Sequence, residues 1–155
     1  MAGELEARTV AQIGIVVRDI EAAARAWAEL FGMPVPEVTI TDAYEVTHAQ
    51  YKGKPTSARV KQAFFRFANI DVELLEPVGE PSTWKDQLDR HGNSLHHLAF
   101  RAGTIDQMME KLPALEAQGL KLVQRGDWLP KGRYLYLDSV EKLGCTLEIL
   151  PGRPD

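Results

Sequence analysis

The chain has 155 residues, 45% of them apolar and 26% charged, which is the size and balance of one soluble globular unit with a core of its own. A net charge of −4 with Lys and Arg scattered argues against nucleic acid as a partner. No apolar stretch nears the roughly 20 residues of a bilayer span, so no membrane partner is expected. Cys145 is the single cysteine, which excludes an internal disulfide and fits a reducing, cytoplasmic setting. The opening Met1-Ala2-Gly3-Glu4-Leu5-Glu6 has no signal-peptide pattern.

Taken in order, residues 1–8 are polar and expected to fray. Residues 9–17 are rich in β-branched side chains and predict a strand. Asp19 is suited to cap a helix from Ile20 to Phe31, where Ile20, Ala23, Ala24, Trp27 and Phe31 recur at helical spacing and Gly32 stops the run. Strands are expected over 38–50 and 59–67, separated by the turn-like residues 53–57. Asn69 marks a tight turn into a strand over 70–76.

Residues 78–93 form a connector, with a short helix capped by Ser82 and ended near His91-Gly92-Asn93. The second half opens with a strand over 95–101. Thr104 and Gln107 make a capping box for a helix reaching about Gln118, with Pro113 expected to kink or interrupt it. Strands follow near 120–125, 132–138 and 145–150.

Each half reads strand, helix, three strands. The expected fold is α+β, with two pseudo-symmetric βαβββ modules forming a curved eight-stranded sheet around a metal cleft. The whole chain, 1–155, is expected to be a single domain, with module one at about 9–77, the connector at 78–93 and module two at about 94–151.

The repetition extends to polar residues. Side chains alternate along a strand. Gln12 therefore faces away from Ile13, Ile15 and Val17, and Glu73 away from Val72 and Leu74. His97 opposes Leu98, and Glu148 opposes Leu147 and Ile149. If helices cover the apolar side, Gln12, Glu73, His97 and Glu148 all enter the opposite cleft. Taken singly, each is an ordinary polar residue of a strand. The signal lies in matched placement across two halves. His96 competes with His97 but should point to the opposite face. Two carboxylates, an amide oxygen and one imidazole suit one six-coordinate divalent ion per site (Ni, Co, Zn, Mn or Mg) better than a structural zinc. The internal repeat aligns Gln62-Ala-Phe-Phe with Tyr134-Leu-Tyr-Leu, which puts Gln62, Phe64, Arg66, Tyr134 and Tyr136 on the cleft face as candidate substrate contacts. Arg66 could hold a substrate carboxylate.

Through the segments at residues 12–20, 72–77, 95–100 and 146–150, the chain resembles the vicinal oxygen chelate superfamily, which includes glyoxalase I and methylmalonyl-CoA epimerase. The resemblance spans about residues 9–151 and implies metal ligands at Gln12, Glu73, His97 and Glu148. Spacing and flanking sequence look most like the epimerase. That enzyme usually has His where this chain has Gln12, and the Gln, Glu, His, Glu set matches one branch of glyoxalase I. Some epimerases carry a Glu base where this chain has Gln62, which cannot take a proton. The base is therefore expected to be Glu148, with Glu73 second. The resemblance implies a metal-dependent epimerase or isomerase that abstracts a proton next to a chelated carbonyl. The alternatives are a glyoxalase I-type lactoylglutathione lyase and a non-catalytic, resistance-type binding protein. It also implies a small-molecule substrate and a homodimer.

Overall fold

The first strand, β1 (Val10–Val16), is the β-branched run at the start of the chain in this computed structural model, which describes residues 3–153. The expected fraying falls partly on Met1 and Ala2, outside the described residues; residues 3–9 form no helix or strand. Ile15 and Val17 pack against helix α1 (Ile20–Phe31), while Gln12, Gly14 and Val16 are buried on the other side of the strand.

The α1 helix starts where its cap predicts. Asp19 accepts from the Ala22 N–H at 2.9 Å, and Glu76 accepts from the Ile20 N–H at 2.9 Å. Two carboxylates thus meet the unpaired donors at the positive end of the helix. Gly32, in the left-handed region at φ 61°, ends it.

The expected strand over 38–50 does not form. In its place are β2 (Thr39–Ile40), a short helix α2 (Tyr44–Thr47) and β3 (Gln50–Tyr51), with β4 (Lys54–Pro55) completing a small hairpin. Thr41 ends β2: its N–H donates to Val60, and its hydroxyl accepts from the Val60 N–H at 3.1 Å. A side chain thus takes over a ladder acceptor and frees the backbone to leave the sheet. Two long strands follow, β5 (Arg59–Arg66) and β6 (Asp71–Val78), which pair antiparallel along their whole lengths.

Ser82 caps α3 (Thr83–His91) by accepting from the Lys85 N–H at 3.1 Å. In the second half, β7 (Ser94–Arg101) leads to α4 (Ile105–Ala117), whose Thr104–Gln107 capping box is complete. Pro113 does not interrupt α4. It sits on the exposed side of the helix, which continues through it to Ala117. The chain ends with β8 (Lys121–Trp128), β9 (Gly132–Asp138), a one-turn helix α5 (Val140–Leu143) that the sequence did not signal, and β10 (Thr146–Leu150).

One sheet of ten strands results, in the order β2-β5-β6-β1-β7-β10-β9-β8-β3-β4. The expected number was eight; β3 and β4 are the additional pair. They come from the first half but extend the second, with Gln50 opposite Arg125 and Tyr51 opposite Gln124. Otherwise the two halves repeat. β1 pairs parallel with β6 as β7 does with β10, and β1 meets β7 antiparallel at the centre. Each half has its own apolar core, one under α1 and one under α4. A third cluster around Trp84 and Leu88 of α3 joins Val16, Val60, Leu75 and Tyr136. Among the described residues no helix is long and apolar enough to cross a membrane.

Candidate metal centre

Strand register brings the four polar residues together. Gly14 of β1 lies opposite Glu73 of β6 on one side and His97 of β7 on the other. Ala99 of β7 lies opposite Glu148 of β10. Gln12, Glu73, His97 and Glu148 are 8%, 3%, 0% and 4% exposed, so all four polar ends are withdrawn from water. Gly14 makes the convergence possible: a Cβ there would lie 2.0 Å from Cε1 of the His97 ring.

His97 Nε2 lies 3.1 Å from Glu148 Oε2 and 3.5 Å from Glu73 Oε2. The amide of Gln12 donates to Glu73 Oε2, and that of Gln62 donates to Glu73 Oε1 at 2.7 Å. Both oxygens of Glu73 are therefore engaged. His97 Nε2 and Glu148 Oε2 face each other without hydrogen-bond alignment, and each is buried with no hydrogen-bond partner. Buried polar atoms are rarely left so. Among the described residues, no group of three or more His, Cys, Asp or Glu side chains is spread around an ion-sized space. The four polar ends are instead in direct contact, with His97 Nε2 within 3.5 Å of both glutamates and Gln12 bonded to Glu73.

Burial alone would depress the His97 imidazolium, but Glu148 and then Glu73 outweigh it and push its pKa up to about 10. Burial raises the Glu73 carboxyl, and the Glu148 charge adds to this against the opposing pull of His97.

The other ring nitrogen of His97 is held by a relay. His97 Nδ1 lies 2.9 Å from His96 Nδ1, and His96 Nε2 lies 3.2 Å from Thr83 Oγ1 at the start of α3. Burial and then the charge of His97 hold the His96 pKa well below the usual histidine range, so His96 is neutral. A neutral His96 that donates from Nε2 to Thr83 accepts at Nδ1 from His97. The two histidines were expected on opposite faces. A register shift overturns this: Gly14 pairs with His97 and Ile15 with Leu95, so His96 is the extra residue of a β-bulge.

Above the four residues is a cleft of about 420 Å³. All five candidate contacts, Gln62, Phe64, Arg66, Tyr134 and Tyr136, line it. Their availability differs. Gln62 is bound to Glu73, and Arg66 lies over the Phe64 ring at 4.7 Å while pairing with Asp71. Tyr136, 2% exposed, accepts from the Trp84 indole N–H at 3.1 Å. Tyr134 accepts from Gln124 at 3.1 Å, and Gln124 in turn accepts from the Thr83 N–H at 2.7 Å. Burial raises both phenols, which stay neutral. Sequence reading missed Gly14, Thr83, Trp84, Asp71 and Arg101. Arg101 carried a usable signal, since it is four residues from His97 and so shares its face.

Residues 11–135 match the family model described as the glyoxalase/bleomycin resistance protein/dioxygenase superfamily. One curated relative, the uncharacterized protein YqjC of Bacillus subtilis (strain 168), is 34% identical over 67 residues; these are 43% of this chain and 46% of that protein, so the match spans about half its length. Among solved structures, methylmalonyl-CoA epimerase from Mycobacterium tuberculosis superposes with a TM-score of 0.67 at 18% identity, covering 99% of this chain and 93% of that one. A Streptomyces coelicolor methylmalonyl-CoA epimerase variant in complex with 2-nitronate-propionyl-CoA gives 0.65 at 19% identity, with 96% and 99% covered. The hypothetical protein BH1468 from Bacillus halodurans C-125 also gives 0.65 at 19%, with 95% and 96% covered. At these identities the likeness is one of fold.

Proposed function

Because this chain belongs to the glyoxalase/bleomycin resistance protein/dioxygenase superfamily, we propose that it is a divalent-metal-dependent epimerase or isomerase that moves a proton on a carbon next to a carbonyl. The observation that carries this reading is the pair of buried, unpartnered atoms, His97 Nε2 and Glu148 Oε2, at the point where Gln12 and Glu73 also converge. A cation would satisfy both atoms at once. Gln12, through its amide oxygen, would hold it together with Glu73, His97 and Glu148. This set suits Ni, Co, Zn, Mn or Mg with positions left for a small-molecule substrate. The His96–Thr83 relay supports the ligand role, because it engages His97 Nδ1 and so turns Nε2, once its proton leaves, toward the centre as a lone pair. When bound, the ion would supply Lewis-acid polarisation of a substrate carbonyl.

The remaining work falls to the side chains. Glu148 Oε2, free of hydrogen bonds and buried beside the cleft, takes the proton from the substrate carbon and returns it. Glu73, with both oxygens accepting amide hydrogens, is the weaker candidate. Gln62 holds Glu73 through its amide N–H, and its neutral amide cannot take up a proton as a base. Tyr134 and Tyr136, fixed by Gln124 and Trp84, wall the cleft and limit water. Return of the proton to the opposite face of the same carbon is epimerisation, which the fold likeness to methylmalonyl-CoA epimerases supports. Return to the neighbouring carbon is the glyoxalase isomerisation, the second reading, which Gln12 in place of a histidine favours. A homodimer and a cytoplasmic setting belong to the same reading and are supported by family membership and the lone cysteine.

Elemental mass spectrometry of purified protein tests the centre. About one divalent ion per chain is expected, lost in Glu148→Ala; no ion in either, after Ni²⁺, Co²⁺ or Zn²⁺ is supplied, overturns it. For the base, Glu148→Gln is expected to keep much of the metal but lose exchange of the substrate α-proton with solvent. Undiminished exchange would reassign the base.

A further inference from the structure

We propose that Tyr134 is a hydrogen-bond donor to a substrate oxygen that gains negative charge, and that Gln124 is the positioning residue that turns the Tyr134 proton into the cleft. The inference rests on the cleft being the substrate site, but on no particular metal and on neither glutamate being the base.

Gln124, on β8, is 1% exposed, and both ends of its amide are engaged. Its Oε1 accepts from the Thr83 N–H at 2.7 Å, and its Nε2 donates to the Tyr134 hydroxyl at 3.1 Å. The first bond decides the second. A backbone N–H donates and never accepts, so the amide oxygen faces Thr83 and the amide nitrogen faces Tyr134. Thr83 opens α3, where the leading N–H groups have no partner inside the helix, so the Gln124 oxygen is held there.

The phenol is left with one orientation. Its oxygen accepts from Gln124, and its own proton, which lies near the ring plane, takes the other side of the oxygen. Among the described residues no protein group accepts that proton. The ring is not free to swing toward one. It lies against Gly126, directly across the β8–β9 ladder, where a Cβ would sit 2.7 Å from Tyr134 Cε1 and 2.8 Å from its hydroxyl. The rings of Tyr136, at 4.9 Å, and Trp84, at 5.9 Å, pack on it as well. A fixed donor with no acceptor, on the wall of a cleft that also holds Glu73 and Glu148, is matched to a ligand oxygen.

The electronics agree with the geometry. Burial raises the Tyr134 phenol, so its proton is present at neutral pH, while the Gln124 bond pulls the other way and makes the O–H a stronger donor. The ligand selected carries a carbonyl oxygen, of a ketone or a thioester, that becomes an enolate oxygen as the neighbouring carbon loses its proton.

The test uses p-nitrophenol, whose flat ring suits the aromatic wall and whose absorbance reports charge on its oxygen. Binding to the full-length protein, as purified and after chelation, is followed by phenolate absorbance at fixed pH and ionic strength. The wild type is compared with Tyr134→Phe, Gln124→Met and Gln124→Glu, each checked for folding by circular dichroism. Gln124→Glu discriminates best: a carboxylate of the same shape still accepts from Thr83 but also accepts from Tyr134, which turns the phenol proton away from the cleft. Phenolate affinity is expected to fall about tenfold or more in Tyr134→Phe and to a similar degree in Gln124→Glu. In the Tyr134→Phe background, Gln124→Glu should then change nothing further; a further loss would mean that it acts through its charge, against the positioning role. Wild-type binding in Gln124→Glu beside loss in Gln124→Met would assign Gln124 to packing alone. Undiminished binding in Tyr134→Phe, or no saturable binding by the wild type, overturns the donor. The ratio of wild type to Tyr134→Phe is read with and without chelator, so absence of metal in the earlier test would sink the metal reading while an intact ratio leaves the donor standing.

Discussion

His97 is fully buried, packed between two carboxylates and the ring of a second histidine. With no ion bound, its folded pKa of about 10 lies above the ordinary 6.5. A raised pKa stabilises the folded state fully below the unfolded value, and this contribution is lost as pH rises through the folded value. Chelated protein is therefore expected to lose stability between pH 6.5 and about 10, read as Tm against pH. His97→Gln should flatten that part of the curve; an unchanged slope would assign it to another group. The same proton must leave when an ion takes Nε2, so metal affinity should rise with pH over this window.

Gly14 is the second critical residue, because any side chain there enters the His97 ring. Gly14→Ala is expected to cost about 1–3 kcal/mol by overpacking and to lower metal content along with Tm. A variant with normal metal content would mean that the ring can move aside. The four proposed ligands were legible because strand parity puts chemically matched residues on one face. Gly14 was not, since an absent side chain gives no signal until its neighbour across the sheet is known.

At the scale of elements, most of what was legible carried its own punctuation. Asp19 and Gly32 bound α1, Ser82 opens α3, and Thr104 with Gln107 opens α4. What was missed is short or unmarked: α2 and α5 are four residues each, without a side-chain cap bond, and the break after Ile40 is made by Thr41 taking over a ladder bond. The bulge at His96 was also invisible, because two-residue alternation says nothing about where a ladder slips. That bulge ties the centre to α3. Thr83→Val keeps the Ser82 cap but removes the acceptor for His96 Nε2. It is expected to weaken metal binding by about 10–100-fold with little change in helicity. Competition with a metal-sensitive dye measures this, and an affinity equal to wild type would show that the relay does not position His97.

For the whole molecule, pseudo-symmetry explains why a polar centre is tolerated in a small core. Each half supplies two of the proposed ligands from strands that it orders with its own helix, so the cluster lies at the seam between two apolar cores. The halves are not independent. Residues 41–49 carry the chain from the outer edge of one half to that of the other, where β3 covers the exposed flank of β8 and Tyr51 bonds Asp86 of α3. Covering that flank also removes a template for unwanted strand pairing.

This strap makes the protein a natural two-piece assembly. A backbone cut in the exposed stretch at Gly79–Glu80 gives one fragment with Gln12, Glu73 and the β3–β4 hairpin, and another with His97, Glu148 and the edge on which that hairpin lies. Neither fragment carries enough donors to hold an ion alone, yet each presents the other's missing strands. Expressed apart and mixed, the two are expected to reunite, with recovery of bound metal serving as the signal that they have done so.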